Sequence, residues 1–397
     1  MPRSAVASGC VDFVLSPAGI AREIERIARH PHVARAAPAR PVALAGEPDL
    51  GKVLEIVRKV TGVDFTHYKA GTLHRRVSRR MILHKVEGLR DYLRFLRKNP
   101  AEVEALYQDI LIPVTRFFRD PGTLEALKAT VLPRLFKDRS RHEPLRVWVL
   151  GCSTGEEAYS LAITFAEFAE ARGSRLPVQV FATDLNAAGI EKARAGVYPK
   201  SIAHDVSPER LRRFFAEVDG SYRISKTIRD MCVFARHNVL TDPPFSQMDL
   251  ISCRNLLIYL DPALQQKVVP LLHYALKPAG FLLLGSSETI GSYRDLFEAA
   301  DAKHKTYAKK SSTRRLTFGP AAGFPQEPGK PRRGPARLQT GADVQKEADR
   351  ILLARYVPPS VLVNADLEIL RFRGIWRSCG SAATPGPIWR RRRARPA

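Results

Sequence analysis

The feature that most constrains this 397-residue chain is a change of hydrophobic period near residue 145. Before it, apolar residues recur at helical spacing. LGKVLEIVRKVTG, GTLHRRVSRRMILHK, GLRDYLRFLRKNP and EVEALYQDILI each predict a helix, punctuated by Asn99-Pro100 and Pro113. After it come short, largely continuous apolar runs: LRVWVLGCS, VQVFATDLN, MCVFARHNV, MDLISCRN and GFLLLGSSE. Helical stretches such as GEEAYSLAITFAEFAEAR, NAAGIEKARAG and ALQQKVVPLLHYAL separate most of them. Continuous apolar strands alternating with helices need a sheet covered on both faces. The expectation is therefore an α/β, doubly wound sheet over 141–310, preceded by a small all-helical domain over 50–140. The stretch 203–235 breaks the rhythm. Its helix, SPERLRRFFAEV, and a hairpin about Asp219-Gly220 predict a small antiparallel β insertion.

The flanks read differently. Residues 11–33 predict a short strand, VDFVL, then an amphipathic helix through Ile20, Ile24 and Ile27, followed by a Pro/Ala linker, RAAPARPVALAGEPD. Residues 311–342 are rich in Pro, Gly and Arg and read as a disordered linker. A helix, VQKEADRILLARY, and a strand pair turning at Ala365-Asp366 follow, and 375–397 form a basic tail without pattern.

Composition narrows the classes. At 45% hydrophobic the chain buries a real core, and no apolar run approaches the roughly 20 residues of a membrane span. Cys10, Cys152, Cys232, Cys253 and Cys379 are scattered without CxxC spacing. This argues against a disulfide framework or a metal site and for a cytoplasmic location. Lys+Arg 64 against Asp+Glu 40 gives a net charge of +24, which implies an acidic partner: nucleic acid, an anionic membrane, or an acidic protein.

Five constellations carry chemistry. In VWVLGCSTGEEAYS, a strand runs into Gly151, a small-residue turn, Gly155 and a helix. This is either an ordinary strand-to-helix turn or the place where backbone approaches a nucleoside cofactor. Gly-x-x-x-Gly is not the G-x-G-x-x-G of a pyrophosphate site, and it suits a cofactor without phosphates. Asp184, ending VFATD, reads as a ribose acceptor, as an N-cap for the next helix, or as both. Arg254, Asn255 and Tyr259 follow the MDLIS strand, where the ligand crevice of such a sheet opens; an ion-pair partner and a core aromatic are the alternatives. VTRFFRD, residues 114–120, reads by default as packing. Arg75, Arg76, Arg79 and Arg80 form a basic stripe on a helix whose other face carries Leu73, Val77 and Met81; a solvated face is the alternative to a docking surface. Asp242-Pro243-Pro244-Phe245 matches the motif of amine methyltransferases acting on nucleic-acid bases. It precedes the MDLIS strand instead of following it, so it reads as a turn.

Taken in order, YKAGTLHRRVSRRM, VTRFFRD, WVLGCSTGEEAYS, ATDLN, FARHNVL and ISCRNLLIYLD resemble the CheR family of chemoreceptor methyltransferases, over about two thirds of the chain. The resemblance implies a Rossmann-like methyltransferase sheet that binds S-adenosylmethionine. It implies cofactor contacts at Thr115, Arg119, Glu156, Asp184, Asn238, Val239, Arg254 and Asn255. It places Arg254 and Tyr259 at the methyl-transfer site. Family members often have Asn where Pro113 stands, which removes one contact. The implied activity is a protein-glutamate O-methyltransferase acting on the acidic cytoplasmic helices of chemoreceptors, with the arginine stripe as docking surface. The implied protein is a cytoplasmic monomer without metal or nucleic-acid partner. The rivals are an inactive or regulatory remnant that binds the cofactor and a nucleic-acid methyltransferase. Residues 1–35 resemble the end of a CheB-type methylesterase, and 343–374 the lead-in to a PAS-type domain. The expected whole is a fragment of a CheB/CheR-type fusion, with a tail that resembles nothing in the family.

Overall fold

The computed structural model describes residues 11–30, 48–137, 139 and 143–311, and the backbone of 360–363 and 369–373. The tail over 375–397, the helix VQKEADRILLARY, residues 312–342 of the predicted linker and most of the Pro/Ala linker lie outside these residues.

Helix α1 (Pro17–Arg29) is capped by Ser16, whose hydroxyl accepts the Gly19 amide, with Pro17 at its first position. The strand expected at VDFVL is not formed. Among the described residues no strand pairs with it, and Val11, Val14 and Leu15 stand exposed. An isolated extended segment has no ladder to hold it.

Helices α2 (Pro48–Thr61), α3 (Ala70–Leu83), α4 (Leu89–Lys98) and α5 (Pro100–Leu111) make the helical domain, each where the periodicity placed it. The seam Leu73, Val77, Met81 is fully inside, packed with Val53, Val57, Tyr92, Leu96 and Leu106. Each such side chain contributes about 1.5–3 kcal/mol by leaving water. One charged cluster sits in this core. Glu102 accepts the Tyr92 hydroxyl at 2.7 Å and Arg80 Nε at 2.8 Å, and meets His84 Nε2 at 2.6 Å. The domain ends earlier than expected. Helices α6 (Pro121–Ala126) and α7 (Leu132–Phe136), joined by a π-turn, Leu127–Val131, bury Leu124, Leu127, Val131 and Leu135 in the core of the sheet. The boundary therefore lies near residue 112 and not at 140.

The main sheet has the order β6-β2-β1-β7-β8-β10-β9. Its strands are β1 (Leu145–Leu150), β2 (Val178–Asp184), β6 (Cys232–Arg236), β7 (Met248–Cys253), β8 (Leu276–Leu284), β9 (Phe297–Asp301) and β10 (Thr306–Lys309). The first five are parallel; β10 runs antiparallel to β8 and β9. Along β1, Val147 and Val149 enter one apolar layer, while Trp148 and Leu150 enter the other. Helix α8 (Glu156–Ala171) covers the first face and α12 (Pro262–Ala275) the second. Two-sided burial is the reason the strands read as unbroken apolar runs. Strand order reverses between β1 and β7, and the crevice beyond their carboxyl ends is where such sheets hold ligands.

The insertion starts earlier than predicted. It is a three-stranded antiparallel sheet of β3 (Val197–Pro199), β5 (Ser221–Ile224) and β4 (Phe215–Val218), turning at Asp219-Gly220. Helix α9 (Ala187–Ala195) leads into it. Helix α10 (Pro208–Phe214) precedes β4, and α11 (Lys226–Asp230) returns the chain to β6. A separate unit, 321–397, contains β11 (Ser360–Val363) paired antiparallel with β12 (Ile369–Arg373), as the sequence predicted; the turn between them lies outside the described residues. Among the described residues no helix is long and apolar enough to cross a membrane.

Candidate active site

The site is built where β1 and β2 end. After Leu150 the chain passes through Gly151 (φ +65°), Ser153 (φ +50°) and Gly155 (φ +96°) before α8 begins. A Cβ on Gly155 would stand 2.8 Å from the Ala193 Cβ of α9, so only glycine lets the two elements meet. The Ser153 amide donates to Asp184 Oδ2 at 2.8 Å, and the Asn186 amide to Oδ1 at 2.8 Å. The cap of α9 is Asn186, which accepts the Gly189 amide at 3.0 Å. Asp184 is thus not the N-cap, and its carboxylate faces the cleft. Burial pushes that carboxyl above its ordinary value, against the pull of the Asn186 and Ser153 amides.

A cleft partly open to solvent lies beyond these strand ends. Thr115, Arg119, Asp184, Asn238, Val239, Arg254, Asn255 and Tyr259 all line it. Glu156 does not. It is buried beneath the turn, accepting the Thr154 hydroxyl at 2.6 Å, while Glu157 lines the cleft and accepts the Ser252 hydroxyl at 2.6 Å. One residue along a helix is a 100° rotation, which tandem glutamates conceal in a sequence. Burial raises the Glu157 carboxyl, opposed by Arg254 and Ser252.

Arg254 is no surface ion pair. Its side chain is 2% exposed, and Nη2 donates to Asp120 Oδ2 at 2.7 Å and to the Arg119 carbonyl at 2.8 Å. VTRFFRD divides its labour. Phe117 and Phe118 are core, Phe117 lying edge-on to Tyr198 at 4.8 Å, while Thr115 and Arg119 turn to the cleft. Ile112, Ser153 and Asn255, all in the lining, are non-glycine residues with positive φ. Pro113 lies outside the lining, although its neighbours Ile112 and Val114 are part of it. The Asp242-Pro243-Pro244-Phe245 segment is a turn before β7. Asp242 Oδ2 accepts the Asn238 amide at 2.8 Å, and Phe245 packs on Trp148.

The sequence reading missed Tyr68 and Ser153 as lining residues. Tyr68 comes from the helical domain, bridged to Leu260, with the Lys69 amide donating to the Tyr259 carbonyl at 2.8 Å. Its only signal was its place in YKAGTLHRRVSRRM. The stripe is divided as well. Arg75 is exposed and Arg76 partly so, but Arg79 donates to Asp109 and Asp12, and Arg80 is committed to Glu102.

What ligand fits these groups? Ser153 Oγ, His237 Nδ1, Arg254 Nε and Asn255 Oδ1 are buried without a hydrogen-bond partner, and all four residues line the cleft. A polar ligand has donors and acceptors to meet here. The first turn of α8 carries Glu156 and Glu157, which opposes a pyrophosphate at that helix N-terminus and favours a cationic group. A nucleoside with a ribose for Asp184 and a sulfonium and ammonium in place of phosphates meets both conditions. Among the described residues no cluster of His, Cys, Asp or Glu is arranged to hold a metal ion.

Residues 48–111 match the all-alpha domain of the CheR methyltransferase family, and residues 113–306 match its SAM-binding domain. A putative methyltransferase, Cher3, of Pseudomonas putida is 33% identical over 65% of this chain and 95% of its own length. A chemotaxis protein methyltransferase of Listeria innocua is 32% identical over 61% of this chain and 92% of its own. An uncharacterized 104.1 kDa protein of Rhodobacter capsulatus is 38% identical over 94% of this chain, which spans only 41% of that relative. The chain belongs to the CheR methyltransferase family, and the cofactor its cleft fits is S-adenosylmethionine.

Proposed function

We propose that the chain methylates glutamate side chains on the cytoplasmic helices of chemoreceptors. The observation that carries this reading is the junction of the basic helix with the cleft. Lys69, one residue before α3, is hydrogen-bonded to Tyr259 at the cleft wall, so Arg75 and Arg76 lie about 9 Å along the helix from that wall. An acidic helix held by these arginines would present its carboxylates to Tyr259 and Arg254.

Bound S-adenosylmethionine supplies a sulfonium methyl group, and transfer to a carboxylate gives the methyl ester and S-adenosylhomocysteine. Asp184 would accept the ribose hydroxyls, and the backbone of Gly151–Ser153 would form the floor beneath the cofactor. A glutamate is ionised at neutral pH (reference pKa about 4.3), so no side chain need act as general base. What remains is orientation and exclusion of water, which supply most of the rate in such a transfer. Arg254 suits this because Asp120 already holds it. A guanidinium neutralised by its own carboxylate orients a substrate oxygen through Nε without masking both lone pairs.

The test is incubation of the purified chain with methyl-labelled cofactor and receptor-containing membranes. Alkali-labile label on receptor glutamates is the expected result. Label on nucleic acid instead would overturn the reading, and tight S-adenosylhomocysteine binding without transfer to any substrate would identify a regulatory protein.

A further inference from the structure

Glu288 is 3% exposed, and every hydrogen bond it accepts comes from backbone. Its Oε2 takes the Asn255 amide at 2.8 Å and the Gly285 amide at 2.7 Å, while Oε1 takes the Ile258 amide at 3.3 Å. One carboxylate thus ties the end of β8, at Gly285, to the loop after β7 that carries Arg254, Asn255 and Tyr259. The approach is close enough to exclude a side chain at residue 285. A Cβ there would stand 2.7 Å from Glu288 Oε2 and 3.0 Å from the Asn255 nitrogen.

A clamp at this point has a physical purpose. Asn255 sits at φ +57°, a left-handed conformation that Asn tolerates better than other residues with a Cβ and that its neighbours must still hold in one place. Its amide is one of the three that Glu288 holds, and Asn255 Oδ1 and Arg254 Nε are among the unpaired buried atoms of the cleft wall. A buried carboxylate is expensive to desolvate. Three N–H bonds converging on it offset that cost, because charge-assisted bonds are about twice as strong as neutral ones.

The geometry points to Glu288 as a positioning residue of the methyltransferase: it lies outside the cleft lining, and fixes the Arg254–Tyr259 loop that forms part of it. The catalytic part of this inference rests on the function proposed above; the clamp itself does not.

The experiment pairs Glu288→Ala with Glu288→Gln, the second keeping one carbonyl oxygen in the place of Oε2. Three quantities are read: S-adenosylhomocysteine affinity by calorimetry, hydrogen exchange of the Asn255, Gly285 and Ile258 amides, and transfer to receptor membranes. The Ala variant should weaken binding about tenfold, expose those three amides to exchange while β7 stays protected, and lower kcat far more than it changes the receptor KM. The Gln variant should recover most of the binding. If the Ala variant does not fold, the Gln variant decides by its Ile258 amide, which loses its acceptor and should exchange faster. Wild-type binding and unchanged amide protection in the folded Ala variant, or an unchanged Ile258 amide where only the Gln variant folds, would overturn the clamp. Failure of the wild-type chain to methylate receptors would instead refute the function and leave the binding comparison intact.

Discussion

The Ser153 amide points at Asp184 Oδ2 from 2.8 Å, so the turn that ends β1 is built on the same carboxylate that lines the cleft. If that carboxylate also holds the cofactor ribose, as proposed above, its removal should show both tasks. Asp184→Ala is expected to weaken S-adenosylhomocysteine binding by about 1.5–3 kcal/mol through loss of charge-assisted bonds. Asp184→Asn, which keeps an acceptor, should lose less. Calorimetry on both variants checks this, and an unchanged dissociation constant in the Ala variant would remove Asp184 from the cofactor site.

The same burial predicts a pH dependence of binding. Asp184 and Glu157 both have carboxyls raised above their ordinary values, by burial first. Ribose hydroxyls and a cationic cofactor end favour the ionised forms, so binding below the raised values must expel a proton. Affinity should therefore be full above the raised values and fall as the solution is acidified through them, beginning above the ordinary carboxylate range. Calorimetry in buffers of different ionisation enthalpy should show proton release on binding at acid pH. A profile that stays flat as the solution is acidified from neutral pH, with no proton release, counts against buried acids facing the ligand.

Glu102 works in the opposite sense and concerns stability, not binding. Burial raises its carboxyl, but Arg80, Tyr92 and His84 outweigh that and hold it below the usual value. A depressed acid stabilises the fold above its unfolded pKa of about 4.3, and that contribution is lost as pH falls through the lower folded value. Glu102→Gln leaves the Arg80 guanidinium, 15% exposed, with Asp109 at 3.9 Å as its remaining counter-charge. A loss of about 3 kcal/mol is expected at pH 7. The variant should also lose part of the acid-side dependence of its unfolding midpoint. Thermal unfolding from pH 3 to 7 reads both.

The framework was legible because burial dictates period. The seam Leu73, Val77, Met81 and the buried runs of β1 and β7 follow from faces that must leave water. Strands β9 and β10 were not legible. FEAAD carries no alternating or continuous apolar run, and antiparallel pairing to β10 forms it. At the site, residues fixed by strand ends were readable, since topology puts Asp184 and Arg254 at the crevice. Which of Glu156 and Glu157 turns to the cleft is decided by the phase of α8, set by the glycine turn. The commitment of Arg80 to Glu102 crosses 22 residues between two helices, and no local pattern announces it.

That commitment changes which arginines can test docking. Arg79 and Arg80 hold Asp109, Asp12 and Glu102, so reversing their charge would disturb the helical domain before it reported on any partner. Arg75 and Arg76 make no ion pair among the described residues, and Arg75 is exposed. Arg75→Glu with Arg76→Glu should therefore leave folding and S-adenosylhomocysteine affinity near wild type while raising the KM for receptor membranes about tenfold or more, because like charges then face the acidic helix. Salt should weaken the wild-type interaction and relieve the variant, since exposed charges are screened within about 8 Å at physiological ionic strength. Arg79→Glu, as control, should lower the unfolding midpoint. If the doubly reversed protein methylates receptor membranes at the wild-type rate in low salt, the stripe is a solvated face and the receptor docks elsewhere.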